Sequence, residues 1–133
     1  MLLLATNIWL ELLLDQERSD EVRRLIDDND PADLAISEFT LYSIAVILGR
    51  NRRYDLFDDF LSDVLVTSGV TRICLDSAEL QQASSVMARF GLDFDDAYQY
   101  VASSARNCTL VTFDKDFDKT DIEHRTPSEL TSG

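Results

Sequence analysis

Short, mostly apolar runs alternate along the chain with longer stretches in which apolar residues recur every three or four positions. The short runs are Leu2–Leu4, Leu34-Ala35-Ile36, Arg72–Leu75 and Leu110-Val111-Thr112. Each is too brief for a helix and bounded by turn or capping residues, which predicts buried strands. The longer stretches predict helices: Ile8–Leu14; Arg18–Asp28, with Val22, Leu25 and Ile26 on one face; Thr40–Leu48, closed by Gly49; and Asp55–Val66, with Leu56, Phe57, Phe60 and Leu61 aligned. A further helix, capped by Asp76 or Ser77, runs through Phe90 to a stop at Gly91, and Asp93–Ala105 follows. Asn29-Asp30-Pro31 reads as a turn, and the tail from Asp118 is polar, with one strand candidate near Ile122. The order β-α-α-β-α-α-β-α-α-β predicts an α/β fold: a central parallel sheet in a three-layer α/β/α sandwich. With no repeat or long linker, residues 1–133 read as a single domain.

Charge narrows the function classes. Against 12 Lys and Arg stand 25 Asp and Glu, a formal net charge of −13. Such a mean field repels phosphate, which excludes a general nucleic-acid coat protein and requires any RNA to be met by a local basic patch or bound cations. Cys74 and Cys108 lie in apolar runs without CxxC spacing and read as buried strand thiols, and His124 is the sole histidine. Zinc chemistry and Ser-His-Asp or Cys-His triads are therefore unsupported. The leucine-rich start lacks a basic n-region and is interrupted by Asn7 and Glu11, and no run reaches membrane-spanning length. A cytoplasmic protein is the default expectation.

Open parallel sheets place their chemistry at the carboxyl ends of the strands. There the first strand offers Ala5-Thr6-Asn7 and the fourth Thr112-Phe113-Asp114-Lys115-Asp116. The helix leading into the fourth strand opens with Asp93, Asp95 and Asp96. Asp93 and Asp96 share a helical face if both are helical; Asp95 reads as an ordinary helix-dipole acid. Carboxylates gathered at one rim repel one another unless solvent or a divalent cation intervenes. An oxygen-only donor set points to Mg²⁺ or Mn²⁺, which activates water and stabilises charge on a phosphodiester. Asp96 and Asp114 are the principal candidate ligands, followed by Asp93 and Asp116, whereas Asp118 and Asp121 read as solvated tail charges.

The opening Leu2-Leu3-Leu4-Ala5-Thr6-Asn7-Ile8-Trp9-Leu10 resembles that of PIN domains, which carry Asp-Thr-Asn after an apolar strand. Asp96-Ala97 with its helix, then Leu110-Val111-Thr112-Phe113-Asp114-Lys115-Asp116-Phe117, resembles the family's second half, so the likeness spans Leu2 to Phe117. It implies a PIN-like α/β/α fold and Mg²⁺- or Mn²⁺-dependent endonucleolytic cleavage of RNA, as in VapC-type toxins. Family members of this size imply two partners, a cognate antitoxin and a second copy in a homodimer. Carried over by position, Asp96 binds metal, Asp114 completes the acidic cluster, Asp116 assists, and Thr6 and Thr112 orient ligands, with Asn7 retained beside them. Two positions depart. The family's first aspartate falls on Ala5, which has no oxygen donor, and its helical glutamate falls on Ser43, with Glu38 nearby as a candidate substitute. Because Thr6 and Asn7 are intact, Ala5 reads as a one-residue inactivating replacement rather than drift of the motif.

Two readings compete with the nuclease. One is a non-catalytic PIN-like module that holds protein or RNA, supported by Ala5. The other is a receiver- or phosphatase-like domain, disfavoured because Lys115 directly follows Asp114 and the first strand lacks paired acids. The one basic cluster apparent in the sequence, Arg50, Arg52 and Arg53, suits a phosphate, a partner's acids or a helix end. Phe39, Tyr42, Ile44, Phe57 and Phe60 read mostly as core, any exposed subset forming an apolar groove for an antitoxin helix or second protomer.

Overall fold

Three leucines with no polar side chain can form a stable strand only if neighbours pair both edges and helices cover both faces. The computed structural model, which describes residues 1–131, gives β1 (Leu2–Leu4) that position. It pairs in parallel with β2 (Leu34–Ser37) and β4 (Thr109–Val111). β3 (Thr71–Ile73) extends the β2 side and β5 (His124–Arg125) the β4 side, giving the order β3-β2-β1-β4-β5, parallel throughout. Helices α1 (Thr6–Leu13) and α2 (Ser19–Asp27) link β1 to β2, and α3 (Glu38–Arg50) and α4 (Tyr54–Phe60) link β2 to β3. Helices α5 (Ser77–Phe90) and α6 (Phe94–Ala105) link β3 to β4, and α7 (Pro127–Leu130) follows β5.

Strand pleat divides the apolar residues between two layers. Leu3, in register with Ala35 and Leu110, packs in the cluster holding Ala83 and Val86 of α5 and Ala97 and Val101 of α6. Leu4, in register with Val111, faces Ile8, Trp9, Val22, Leu25, Ile44 and Leu48 of α1 to α3. Trp9 closes that layer; its Nε1–H donates to the Leu4 carbonyl at 3.1 Å and its ring meets Phe60 edge-on. The three-layer α/β/α sandwich is the architecture predicted.

Several local expectations are corrected. Helix α3 passes through Gly49 to Arg50, and the reversal is made at Asn51 and Arg52, whose φ is 56°. The amphipathic stretch 55–66 does not stay α-helical: α4 gives way at Leu61–Thr67 to a π-helical segment that leaves Val66 exposed. The strand candidate near Ile122 forms just beyond it, at His124–Arg125, as a fifth strand whose polar side chains suit a sheet edge. Neither cysteine is on a strand: Cys74, just after β3, is exposed, and only Cys108, just before β4, is buried. From the aromatic set, Ile44 and Phe60 are core while Tyr42 is 56% exposed. No helix among the described residues is long and apolar enough to cross a membrane.

Candidate functional site

Because β1 sits between β2 and β4, its carboxyl end is flanked by theirs, and residues far apart in sequence meet there. The tips of β1 and β4 are joined by one side chain. Asn7 Nδ2 donates to Thr112 Oγ1 at 3.0 Å, and Asn7 Oδ1 accepts the Phe113 N–H at 3.2 Å. Thr112 Oγ1 in turn accepts the Asp114 N–H at 3.0 Å, and Asp114 Oδ1 accepts the Asp116 N–H at 2.8 Å. The loop after β4 is thus built from the β1 tip outward, which fixes Asp114.

Helix α6 brings the third acid. Asp93 is its N-cap, accepting the Asp96 N–H at 2.9 Å, and this first turn directs Asp96 toward Asp114. Carboxylate oxygens of Asp96, Asp114 and Asp116 all lie within 4.8 Å of one another. Burial, then the charges of Asp93, Asp114, Asp95 and Asp116, push the Asp96 carboxyl up to about 7. Asp93 stands outside this trio, its carboxylate committed to the cap.

The β2 side is built differently. Ser37 N-caps α3, its Oγ accepting the Thr40 N–H at 3.1 Å and donating to Thr40 Oγ1 at 3.0 Å. Thr40 Oγ1 also lies 2.8 Å from Thr6 Oγ1, and Gln99 Nε2 reaches Thr40 Oγ1, Asp95 Oδ1 and Ser37 Oγ at 2.8, 3.1 and 3.2 Å. Thr6, Ser37, Thr40 and Gln99 are all buried. Asp95 is accordingly no mere dipole acid: it faces this network from one turn before Gln99. Burial raises its carboxyl, against the hydrogen bonds of Gln99 and Thr6 and alongside the charges of Asp93 and Asp114. Sequence reading took Asp95 for a helix-dipole acid only and missed Gln99. Their i, i+4 spacing and the Ser37-x-x-Thr40 cap pattern were the signals that could have found them.

The two departures are now placed. Ala5 is the N-cap of α1, buried at the β1 tip, with no side-chain oxygen for the α1 amides. Ser43 lines an apolar groove with Phe39, Tyr42, Val46 and Ile47 and offers a hydroxyl where the family has a carboxylate. Glu38 is engaged elsewhere: it accepts a hydrogen bond from Tyr42 and pairs with Arg72 at 3.2 Å. Its carboxyl is lowered by Tyr42 first, then Cys74 and Arg72. Arg50, Arg52 and Arg53 lie at the far end of α3, about 20 Å along the helix from the Ser37 cap. There Arg52 and Arg53 line a separate hollow with Tyr54 and Asp59. Nor are the tail acids solvated singly, since Asp118 pairs with His124 at 2.7 Å and Asp121 accepts from Tyr100.

The PIN domain family matches residues 2–123. No curated protein matches the chain by sequence. The fold is shared with FitAcB from Neisseria gonorrhoeae, with TM-score 0.79 and 21% identity, covering 98% of this chain and 100% of that one. It is shared with Mycobacterium tuberculosis VapC20, a sarcin-ricin loop cleaving toxin, at TM-score 0.78 and 20% identity, covering 92% and 96%. A toxin–antitoxin complex from Klebsiella pneumoniae gives TM-score 0.77 and 20% identity, covering 96% and 98%.

Proposed function

The chain belongs to the PIN domain family, and from that premise we propose that it is a metal-dependent endoribonuclease of the VapC toxin type whose activity is suppressed by Ala5. The observation that carries the reading is the convergence of Asp96, Asp114 and Asp116 beside the tips of β1 and β4. Three hard oxygen donors with a carboxyl pushed up to about 7 form a set short of positive charge, which fits Mg²⁺ or Mn²⁺. Asp96 and Asp114 would hold the cation, with Asp116 assisting. When bound, it supplies charge stabilisation at a phosphodiester. The chain's own part is positional. Asn7 and Thr112 fix the loop that carries Asp114, the Asp93 cap fixes Asp96, and Thr6 and Gln99 hold Asp95 at the inner wall.

Ala5 removes the one donor the β1 tip would contribute. Loss of well-placed charge stabilisation costs roughly two or more orders of magnitude in rate. The decisive comparison is RNA cleavage by this chain and by Ala5→Asp, with Mg²⁺, Mn²⁺ or EDTA. We expect the substitution to raise cation-dependent cleavage by about a hundredfold or more. In EDTA the new carboxylate gains the α1 cap but meets Asp96 and Asp114, so its Tm falls below that of the parent; Mn²⁺ reverses the order. Cleavage left at background in both cations would reject the nuclease reading and favour a non-catalytic PIN-like binding module. That second reading draws on Ser43 as well as Ala5, because two of the family's acidic positions then lack a carboxylate. Under either reading a cognate antitoxin is the partner we propose. Exposed Tyr42 and Val46 beside the Phe39–Ile47 groove give it an apolar face, with a second copy in a homodimer as the other occupant.

A further inference from the structure

A cleft of about 520 Å³ lies against the acidic site, on its β4–β5 side. Asp114 belongs to both, so what occupies the cleft meets the acid cluster directly. In a chain of net charge −13, this cleft gathers Arg18, Lys115 and Arg125 from three separate segments. Arg18 precedes α2, Lys115 follows Asp114, and Arg125 ends β5. Its lining also holds four acids, Glu21, Asp114, Asp118 and Glu129, and the last two are engaged within the chain. Asp118 pairs with His124 at 2.7 Å, and Glu129 accepts the Thr126 N–H at 3.0 Å in the cap of α7. Among the described residues neither Arg18 nor Lys115 pairs with a carboxylate, whereas Arg125 pairs with Glu123 at 3.8 Å and donates to the His124 carbonyl at 2.8 Å. The Arg18 guanidinium instead lies over the Phe113 ring, 4.9 Å from its centroid, which holds its plane in place while its edge N–H groups remain free to donate.

We propose that this cleft is the track for a single-stranded RNA leading to the acidic site, its phosphates held by Arg18 and Lys115 and one base set against the Arg18–Phe113 stack. The assignment rests on the nuclease reading above and gives that reading its missing basic surface. Free cations in an acidic chain mark where phosphate is tolerated, and planar stacking surfaces take any base. The volume is that of a small-molecule site, adequate for a nucleotide. The cleft's continuity with Asp114 favours RNA over an acidic protein segment, which would have no bond to present to the cluster.

The test is fluorescence anisotropy of a labelled mixed-sequence RNA oligonucleotide in EDTA across a salt series, using this chain. Each phosphate that the protein no longer neutralises lowers the slope of log K against log salt by about 0.7. Arg18→Ala with Lys115→Ala should therefore weaken binding at least tenfold and flatten the slope by about 1.4. Arg18→Lys should recover the charge contribution but not the stacking. Arg52→Ala with Arg53→Ala, on the far end of α3, should change neither quantity. A double Arg18/Lys115 variant that retains parental affinity and slope, with its circular dichroism unchanged, overturns the cleft and leaves the nuclease reading standing. Displacement of the RNA by an equal charge of polyglutamate also overturns it, reassigning the cleft to an acidic protein. Failure of the parent chain to bind RNA at any salt removes both the cleft and the nuclease reading.

Discussion

The two sides of the β1 tip satisfy their polar groups by opposite means. On the β4 side, Asp96, Asp114 and Asp116 crowd together and one carboxyl is driven up to about 7. On the β2 side, Thr6, Ser37, Thr40 and Gln99 bond to one another and bury almost completely. The first arrangement is incomplete without positive charge; the second is nearly complete as it stands, with only the Gln99 Oε1 lacking a protein partner. One wall is a neutral mould and the other an acidic edge set against it, with Asp95 bonded to the first through Gln99 and within the field of the second. Preorganised sites commonly combine such parts, because a carboxylate is useful only where its neighbours fix its position.

The sharpest way to break the contrast is to open the neutral wall. Thr40→Val keeps shape while removing the hydroxyl that meets Thr6, Ser37 and Gln99. Buried groups left without partners cost about 2–3 kcal/mol in total. Chemical denaturation should show that loss, and a change under about 0.5 kcal/mol would mean the wall is not the stabilising side.

A smaller effect belongs to the charged side. The folded chain holds the Asp96 proton up to about 7, whereas an ordinary aspartate releases it near 3.8. Stability derived from the neutral acid is therefore complete below the lower value and is lost as pH rises through the upper one. Metal-free Tm should fall between about pH 4 and pH 7, and Asp96→Asn should flatten that segment of the profile. A parental profile identical to that of the asparagine variant would show that the acids relax away from one another.

How much of this was readable in advance follows from the range of the forces involved. β1, β2 and β4 were legible because burial on both faces demands apolar runs such as Leu2–Leu4. Asp96 and Asp114 were legible because strand ends and helix starts locate themselves once the strand order is known. β5 was nearly invisible: His124 and Arg125 pair by backbone alone with β4, and the edge asks nothing of their side chains. The π-helical run at Leu61–Thr67 preserves helical composition, so periodicity could not separate it from α4. Arg18 escaped notice, and Lys115 was not read as a basic-surface residue, for the opposite reason to Arg50–Arg53. Clusters in sequence draw attention, yet the fold assembles the cleft's cations one from each of three segments and carries the contiguous cluster off along α3.

The smallest expected effect is also the one that decides which acid serves the β2 side. Glu38 is the nearer substitute in sequence for the carboxylate lacking at Ser43, but it is turned to Arg72 and Tyr42 on the β3 side. An ion pair at 3.2 Å with a half-exposed arginine contributes at most about 1 kcal/mol, so Glu38→Gln should barely move stability and leave Mn²⁺ affinity unchanged. Asp95 faces the site through Gln99 and Thr6, and Asp95→Asn should weaken Mn²⁺ binding by about tenfold, as loss of a supporting carboxylate does. Electron paramagnetic resonance of free Mn²⁺ reads both variants without reference to cleavage. If Glu38→Gln proved the damaging change and Asp95→Asn the silent one, the acidic edge would extend to β3, and the neutral wall would be packing rather than a mould.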